Sequence, residues 1–270
     1  MTTILAAEGV EGISSDLNAL FEFAPFAFDG TAFALNRVGL LYLLSAVIIG
    51  LLLFSTLSNA KVVPTRMQTV VESLLLFVRN NIAIDVIGPK GARYAPLLAA
   101  MFLFIFVNNL YGITPLVNLP TSARMALPAF LAIMTWAVFI FAGVATHGPK
   151  YFLEALMPSG VPKVLYVVII PIEFVSTFIV RPLTLAVRLF ANTMAGHIIL
   201  AIIFVAANQF MFDFVNMEVA SGFGGFVLGG FLSLVAGPIM IVFELVVATI
   251  QAYIFTILTA VYINSSLSHH

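Results

Sequence analysis

The sequence predicts an all-α polytopic membrane protein that crosses the bilayer about five times. Of its 270 residues, 62% are hydrophobic and only 9% are charged, whereas an ordinary soluble domain carries about 25% charged residues. Several apolar stretches reach the roughly 20 residues that a helix needs to cross a bilayer. The two stretches nearest the C-terminus are far longer. These observations predict a helical membrane domain rather than a soluble domain with a membrane tail.

Composition also excludes several classes of function. The net charge of −1 gives no basic footprint for nucleic acid. Cysteine is absent, which excludes disulfides, cysteine nucleophiles and thiolate metal sites. No GxxxxGK[ST] phosphate loop occurs, so we expect no nucleotide hydrolysis by this chain itself. We also expect no catalytic chemistry, cofactor or metal site in this chain. The first residues lack a basic region followed by an apolar one, so we predict no cleavable signal.

The N-terminal half contains three predicted spans and one amphipathic helix. Residues 1–33 are acidic and form a predicted extracytoplasmic segment, and residues 34–270 form a single membrane domain. We expect spans at about 38–57, 94–116 and 125–146. Between the first two, apolar residues at i, i+3, i+4, i+7 spacing predict a helix lying at the membrane interface: Met67, Val70, Val71, Leu74, Leu75 and Val78.

The last two apolar stretches, about 164–207 and 227–263, are too long for ordinary spans. As helices they would measure about 66 Å and 55 Å, against a hydrocarbon core of about 30 Å. Each stretch therefore hides a re-entrant hairpin, or both are single helices inclined steeply to the membrane normal. We favour the second interpretation, in which the two long helices pack as an antiparallel pair.

The distribution of basic residues predicts the orientation. The stretch 61–93 holds five Lys or Arg residues and is expected inside, which places the acidic N-terminus outside. Residues 147–163 carry cations and lie inside, whereas residues 208–226 carry acids only and lie outside. The C-terminus is then cytoplasmic.

One stripe of polar side chains runs along the fourth span. At 100° per residue its members fall within an arc of about 100°: Glu173, Thr177, Arg181, Thr184, Arg188 and Asn192. His197 is nine residues beyond Arg188 and points to the opposite side. In the last span, Glu244 and Gln251 are seven residues apart and share a face. Ionisable residues at this depth line ion paths or pair with one another.

Arg188 is the most informative of these residues. A guanidinium does not lose its charge at any workable pH, and holding it at mid-membrane depth costs at least about 2.5–3.5 kcal/mol. A chain that keeps this charge among apolar residues is expected to use it.

Structural interpretations of the same residues stay open at this stage. Thr and Asn on a membrane helix often hold helices together. Arg181 either neutralises Glu173 or bonds carbonyls released by Pro182. A lone His197 is commonly a packing residue, and Gly225 with Gly229 forms a GxxxG pattern typical of helix packing.

Several motifs match one family. The fourth span reads Pro171-Ile-Glu173, then Arg181-Pro-Leu-Thr-Leu-Ala-Val-Arg188-Leu-Phe-Ala-Asn192-Thr-Met-Ala-Gly196-His197. Elsewhere the chain reads Val63-Pro64, Asn109-Leu-Tyr-Gly-Ile-Thr-Pro115, and Glu244 followed by Gln251-Ala-Tyr-Ile-Phe-Thr-Ile-Leu-Thr-Ala-Val-Tyr262. From about residue 35 to the C-terminus, the chain resembles subunit a of the rotary, F-type ATP synthases of bacteria.

The resemblance implies a stator that packs against a rotating ring of c subunits and provides two offset proton half-channels. Arg188 matches the family's essential, ring-facing arginine. Asn192 and Gln251 match polar residues beside it, and His197 and Glu244 match a pair in the outer half-channel. Other implied partners are a b-type peripheral stalk, the rest of the ATP synthase complex, membrane lipid and protons, but no nucleic acid.

The resemblance also implies secondary assignments. Glu173 matches an acidic residue near the proton path, with Arg181, Thr177 and Thr184 as secondary polar residues. At the start of the third span an arginine, Arg124, stands where the family often has an acidic or amide residue. The host membrane is expected to be a bacterial plasma membrane.

Two other functions remain compatible with the residues alone. An ion-coupled secondary transporter would use Arg188 to bind an anionic substrate, and such folds commonly contain internal repeats and broken helices. A structural scaffold would use the polar stripe only for packing. The choice between H⁺ and Na⁺ is not encoded in this chain.

Overall fold

The computed structural model describes residues 37–58, 65–114, 121–156, 165–215 and 222–268. The chain divides into two compact units, Met1–Ile48 and Ile49–His270. The described residues of the first unit form the start of helix α1 (Arg37–Ser58), and the rest of α1 belongs to the second unit. The predicted segment 1–33 lies outside the described residues, so its boundary remains a prediction.

Five helices in the described ranges are long and apolar enough to cross a membrane, as the sequence predicts. The first span lies within three residues of its predicted limits and the third within one, whereas the second begins five residues earlier than predicted because it includes the 3₁₀ turn that starts at Pro89. The five are Arg37–Phe54, Pro89–Ile113, Ala126–His147, Tyr166–Asn208 and Val227–Leu267. These segments confirm a multi-pass helical membrane protein.

The predicted amphipathic helix is also present, as α2 (Arg66–Val78). It begins at Thr65, whose side-chain oxygen accepts from the backbone N–H of Gln68 at 3.4 Å. Such a cap satisfies one of the donors left unpaired at a helix start. Val71 and Val78 are buried, whereas Val70 is 64% exposed. Only part of the apolar face is therefore covered by this chain.

The chain then turns into the second span. A π-helical segment (Arg79–Ile84) and a short helical turn (Asp85–Ile87) lead to Gly88, whose φ of 86° is costly for other residues. A 3₁₀ turn, Pro89–Tyr94, connects to helix α3 (Ala95–Ile113).

The fourth and fifth spans are single continuous helices with one π-helical turn each. The fourth consists of α6 (Tyr166–Val175), Ser176–Val180 and α7 (Arg181–Val215). The fifth consists of α8 (Gly222–Phe231), Leu232–Ala236 and α9 (Gly237–Leu267). Two helices lie between α3 and these spans in the chain: α4 (Ala126–His147) and α5 (Tyr151–Leu156). Neither span contains a re-entrant hairpin, so the prediction of two over-long helices is confirmed.

Their length determines how they cross. The apolar parts contain 43 and 41 residues, which at 1.5 Å per residue gives about 64 Å and 61 Å. Because both are apolar over most of their length, a core of about 30 Å accommodates them only at a steep inclination.

Contacts between the two long spans run in opposite chain directions. As residue numbers rise in the fourth span, their partners' numbers fall in the fifth, which confirms the predicted antiparallel pair. The contacts join Arg181 to Tyr262, Asn192 to Gln251, Gly196 to Glu244, and Phe204 to Gly237.

Prolines explain the two π-helical turns. Proline has no N–H, and its ring collides with the carbonyl four residues earlier. Pro182 and Pro238 each stand two residues after such a turn, and the residues before them bond five positions back: Arg181 N–H to the Ser176 carbonyl, and Gly237 N–H to the Leu232 carbonyl. The spacing of 100° per residue therefore does not hold across 176–180, and the six-residue stripe is not one continuous face.

The third span, α4 (Ala126–His147), runs parallel to α9. Thr135 lies 3.4 Å from Thr259 between hydroxyl oxygens, and His147 Nε2 lies 3.4 Å from the Leu267 carbonyl. In the following helix α5 (Tyr151–Leu156), the Tyr151 hydroxyl lies 3.0 Å from Ser266 Oγ.

The basic turns gather at this end of the bundle. Ile87 and Tyr94 pack against the buried cluster of Phe139, Ala142 and Ile263. The turn that holds Lys90 and Arg93, the turn after α4 and the end of α9 therefore share one end of the second unit.

Candidate functional site

Arg188 lies on an outward face of α7. Its neighbours on the inward side, Leu185 and Leu189, are 2% and 0% exposed, whereas Arg188 itself is exposed. Within the described ranges its guanidinium makes no ion pair, hydrogen bond or ring contact. The chain thus presents this charge away from its own core.

One helical turn further along, a pair of amides joins the two long spans. Asn192 Nδ2 donates to Gln251 Oε1 at 3.0 Å. Gln251 is 2% exposed, and its Nε2 has no hydrogen-bond partner in the described part of the chain. The bridge fixes α7 against α9 beside Arg188 and leaves one donor directed into the interior.

Behind this bridge, a small cavity of about 30 Å³ opens between α3, α7 and α9. Its polar lining includes Asn109, His197 and Glu244 as well as the two amides. A cavity needs about 10–15 Å³ open to the centre of a water-sized sphere to hold a water molecule. Asn109 Oδ1 and Glu244 Oε2 are buried without a hydrogen-bond partner among the described residues. The cavity therefore fits water with acceptors on two helices.

His197 and Arg188 occupy opposite sides of α7, as their separation of nine residues predicts. His197 is 6% exposed, whereas Arg188 is exposed. Gly196 lies directly against Glu244, since a methyl group at Gly196 would overlap Glu244 Oε1. The absence of a side chain at this position therefore lets the carboxyl group reach the surface of α7.

A second polar group lies on the fourth span before Arg188. Arg181 Nη2 is 3.8 Å from Glu173 Oε1, and its guanidinium carbon lies 5.5 Å from the centre of the Tyr262 ring. Thr177 donates to the same Glu173 oxygen at 3.4 Å. Of the two open interpretations of Arg181, the one in which it neutralises Glu173 matches this geometry.

Thr184 belongs to neither group. Its hydroxyl contacts the carbonyls of Val180 and Arg181, at 2.8 Å and 3.0 Å. A threonine, rather than Arg181, thus bonds backbone oxygens close to Pro182.

The structure therefore divides the predicted residues into two groups with Arg188 between them. Asn109 and Tyr262 were not predicted as site residues, although both occur in the motifs. A polar amide in an apolar span was the signal for Asn109; nothing in the sequence indicates that Tyr262 stacks on Arg181. The GxxxG glycines lie in α8, which packs along α7, in agreement with a packing role.

At the start of the third span, Thr121 donates to the Asn108 carbonyl at 2.8 Å, and Arg124 is partly buried. Across the described ranges no cluster of three His, Asp or Glu residues has the arrangement of a metal site.

The fold and the site together define a multi-pass helical membrane protein with ionisable side chains along two over-long spans. A sequence profile of the family described as ATP synthase A chain matches residues 39–264. The chain therefore belongs to this family, as the motifs predict.

Individual relatives agree with the profile. The protein named ATP synthase subunit a of Frankia alni is 37% identical over 268 residues, covering 98% of this chain and 89% of its own. The protein of the same name from Rhodococcus erythropolis is 39% identical over 237 residues, covering 87% and 83%. A third, from Mesorhizobium japonicum, is 34% identical and covers 92% and 93%.

Proposed function

We propose that this chain is the stator subunit of the membrane motor of a bacterial ATP synthase. In this function Arg188 faces a rotating ring of c subunits, and two offset half-channels carry protons to and from the ring. The observation that carries the proposal is the position of Arg188, exposed and unpaired in the described residues, between two polar groups on an inclined helix.

The electrostatics explain why an arginine is needed. A ring carboxyl group must be protonated to move through hydrocarbon, because burying the ion is too costly. A cation within a few ångströms favours the ionised form instead. A ring carboxyl group approaching Arg188 gives up its proton to one half-channel, and after passing Arg188 it takes a proton from the other. The permanent charge also repels a proton that would cross directly.

His197, Glu244 and Asn109 line the half-channel on the outer side. Among the described residues that line the cavity, Glu244 and His197 are the ionisable ones, and they exchange protons with water there. Asn192 and Gln251 hold the two long helices together beside Arg188. The amide bridge thereby keeps the distance between cavity and arginine constant during rotation.

Glu173 lies near the second half-channel, on the other side of Arg188 along the helix. Glu173 is about 22 Å from Arg188 along the helix axis, and His197 about 14 Å in the opposite direction, at 1.5 Å per residue. Offset half-channels need such a separation, because protons must reach the ring on one side of the arginine and leave on the other. Each charge that crosses about 100 mV gains about 2.3 kcal/mol, which drives the ring.

The chain is oriented with its N-terminus outside and its C-terminus in the cytoplasm of a bacterial cell. Support comes from the basic turns at residues 89–94 and 148–150, which lie at the same end as the C-terminus of α9. The remaining partners are a b-type peripheral stalk and the other subunits of the complex. Continuous long helices disfavour a secondary transporter, whose binding site is commonly formed by broken helices.

The test is the substitution Arg188→Ala in the assembled complex in inverted membrane vesicles. We expect ATP-driven proton uptake and proton-driven ATP synthesis to be lost while the soluble ATPase remains bound and active. If the assembled variant complex pumps protons at the rate of the unmodified complex, the proposed function of Arg188 is wrong.

A further inference from the structure

An open groove of about 660 Å³ runs along α2 in the second unit. Six of its lining residues belong to one face of α2, and Phe102 of α3 lies opposite. The six are Arg66, Thr69, Val70, Ser73, Leu74 and Phe77. We propose that this groove binds one anionic phospholipid, with the phosphate at Arg66 and an acyl chain at Phe77 and Phe102.

Along the groove, a cation, a hydroxyl group and an aromatic side chain follow one another. The parts of a phospholipid that they would bind occur in the same order. Arg66 is the first residue of α2 and is exposed. Ser73 follows two turns later, and Phe77 about 16 Å from Arg66 at 1.5 Å per residue. A phosphate, an ester carbonyl and a hydrocarbon chain follow one another in the same order in a diacyl lipid.

The charges in the groove favour an anion. Arg66 makes no ion pair with any residue that the structure describes, and none of the described residues that line the groove is acidic. Glu72, the acid of α2, faces away and accepts a hydrogen bond from Gln68 Nε2 at 2.7 Å. Backbone N–H groups at the helix start, which lack partners within the helix, add to the positive potential at Arg66.

Of the two hydroxyl groups among the described residues of the groove, that of Thr69 already makes a hydrogen bond within them and that of Ser73 does not. Thr69 Oγ1 already donates to the Thr65 carbonyl at 3.1 Å. The Ser73 hydroxyl makes no hydrogen bond in the described part of the chain, so it is available to an ester carbonyl. Phosphate and ester oxygens accept hydrogen bonds, and Arg66 and Ser73 supply donors at the two corresponding positions.

The end of the groove away from Arg66 is apolar and open. Val70 is 64% exposed and Phe77 is 41% exposed, so both side chains are accessible to hydrocarbon. Phe77 lies against Tyr253 with ring centres 6.1 Å apart, and Phe102 stacks on Phe106 at 6.2 Å. These aromatic rings form a fixed apolar wall at the end of the groove away from the cation.

The test uses the intact purified complex in phosphatidylcholine nanodiscs that contain phosphatidylglycerol with a photoreactive acyl chain. Mass spectrometry of the labelled peptides should locate the lipid at residues 66–78 and at Phe102. Arg66→Gln should reduce labelling about fivefold, the ratio for about 1 kcal/mol per basic residue at an anionic surface. Arg66→Lys should restore most of it, and Ser73→Ala should give a smaller loss.

Lys90→Gln is the matched control, because it removes one exposed charge from the same basic stretch outside the groove. We expect normal labelling in this variant, and no competition by soluble glycerol phosphate. Equal labelling by photoreactive phosphatidylcholine, an equal loss in Lys90→Gln, or cross-linking of α2 to another subunit in place of lipid would each overturn the proposal.

Discussion

The two arginines of the fourth span, Arg181 and Arg188, lie about two turns apart and have opposite surroundings. Arg181 lies 3.8 Å from a carboxylate oxygen and against an aromatic ring, so this chain neutralises it internally. Arg188 is exposed and has neither kind of partner in the described ranges. Residue type and depth in the membrane are therefore insufficient to identify a functional charge. The distinguishing property is whether the chain itself supplies the opposite charge.

The largest difference in proton uptake is expected between two single variants, in each of which one of the arginines is replaced by lysine. An ammonium loses its proton when desolvated and lacks the planar fork of a guanidinium. Arg188→Lys should reduce ATP-driven proton uptake to background, whereas Arg181→Lys should retain most of it, because a lysine can still pair with Glu173. Fluorescence quenching of a pH-sensitive dye in vesicles measures both. Equal activity of the two variants would remove the distinction between the arginines.

A second pair of substitutions compares the carboxyl groups. Glu244 has a buried oxygen without a partner in the described residues, whereas Glu173 is held by Arg181 and Thr177. Glu244→Gln should slow proton flux about tenfold to hundredfold, since it removes a proton-exchanging group. Glu173→Gln should slow it less.

The flux is measured in vesicles whose complexes have been stripped of the soluble catalytic head. Assembly is checked in parallel, by the amount of ring that copurifies. An unchanged flux in an assembled Glu244→Gln complex would exclude Glu244 from the proton path.

The amide bridge should have an intermediate effect. Asn192→Ala removes the 3.0 Å hydrogen bond that Asn192 Nδ2 donates to Gln251 Oε1, so this oxygen loses its donor. The loss of about 1 kcal/mol corresponds to about a fivefold lower rate of coupled proton uptake. Asn208→Ala, in a second exposed asparagine of α7, is the control and should leave the rate unchanged. A normal rate in Asn192→Ala would show that the bridge is dispensable.

The smallest effect is expected at Gly196. A methyl group there overlaps Glu244 Oε1, but this oxygen is the end of a flexible side chain and can move aside. An off-rotamer carboxyl group costs about 0.5–1 kcal/mol, so flux in Gly196→Ala should fall about twofold to fivefold. The double variant Gly196→Ala with Glu244→Gln should be no slower than Glu244→Gln alone. If the losses of flux in the two single variants add in the double variant, Gly196 does not act through Glu244.

Much of the fold follows from the sequence because apolar length determines a membrane span. The third span was predicted at 125–146 and is observed at Ala126–His147. Less of the site follows, because contacts across the antiparallel pair depend on register. The stacking of Arg181 on Tyr262 and the position of Asn109 in the cavity both require that register. The π-helical turn before Pro182 also invalidates a constant angular spacing, which no periodicity rule anticipates.

The most direct test asks what lies against Arg188. The chain has no cysteine, so Ala191→Cys introduces a unique thiol on the exposed face one turn from Arg188. Phe141→Cys, at a position 75% exposed on the third span, is the control. We predict that Ala191→Cys forms a disulfide with a cysteine placed beside the ring carboxyl group, and that Phe141→Cys does not. If the thiol at position 191 reacts only with lipid-soluble reagents and never with the ring, Arg188 does not face the rotor.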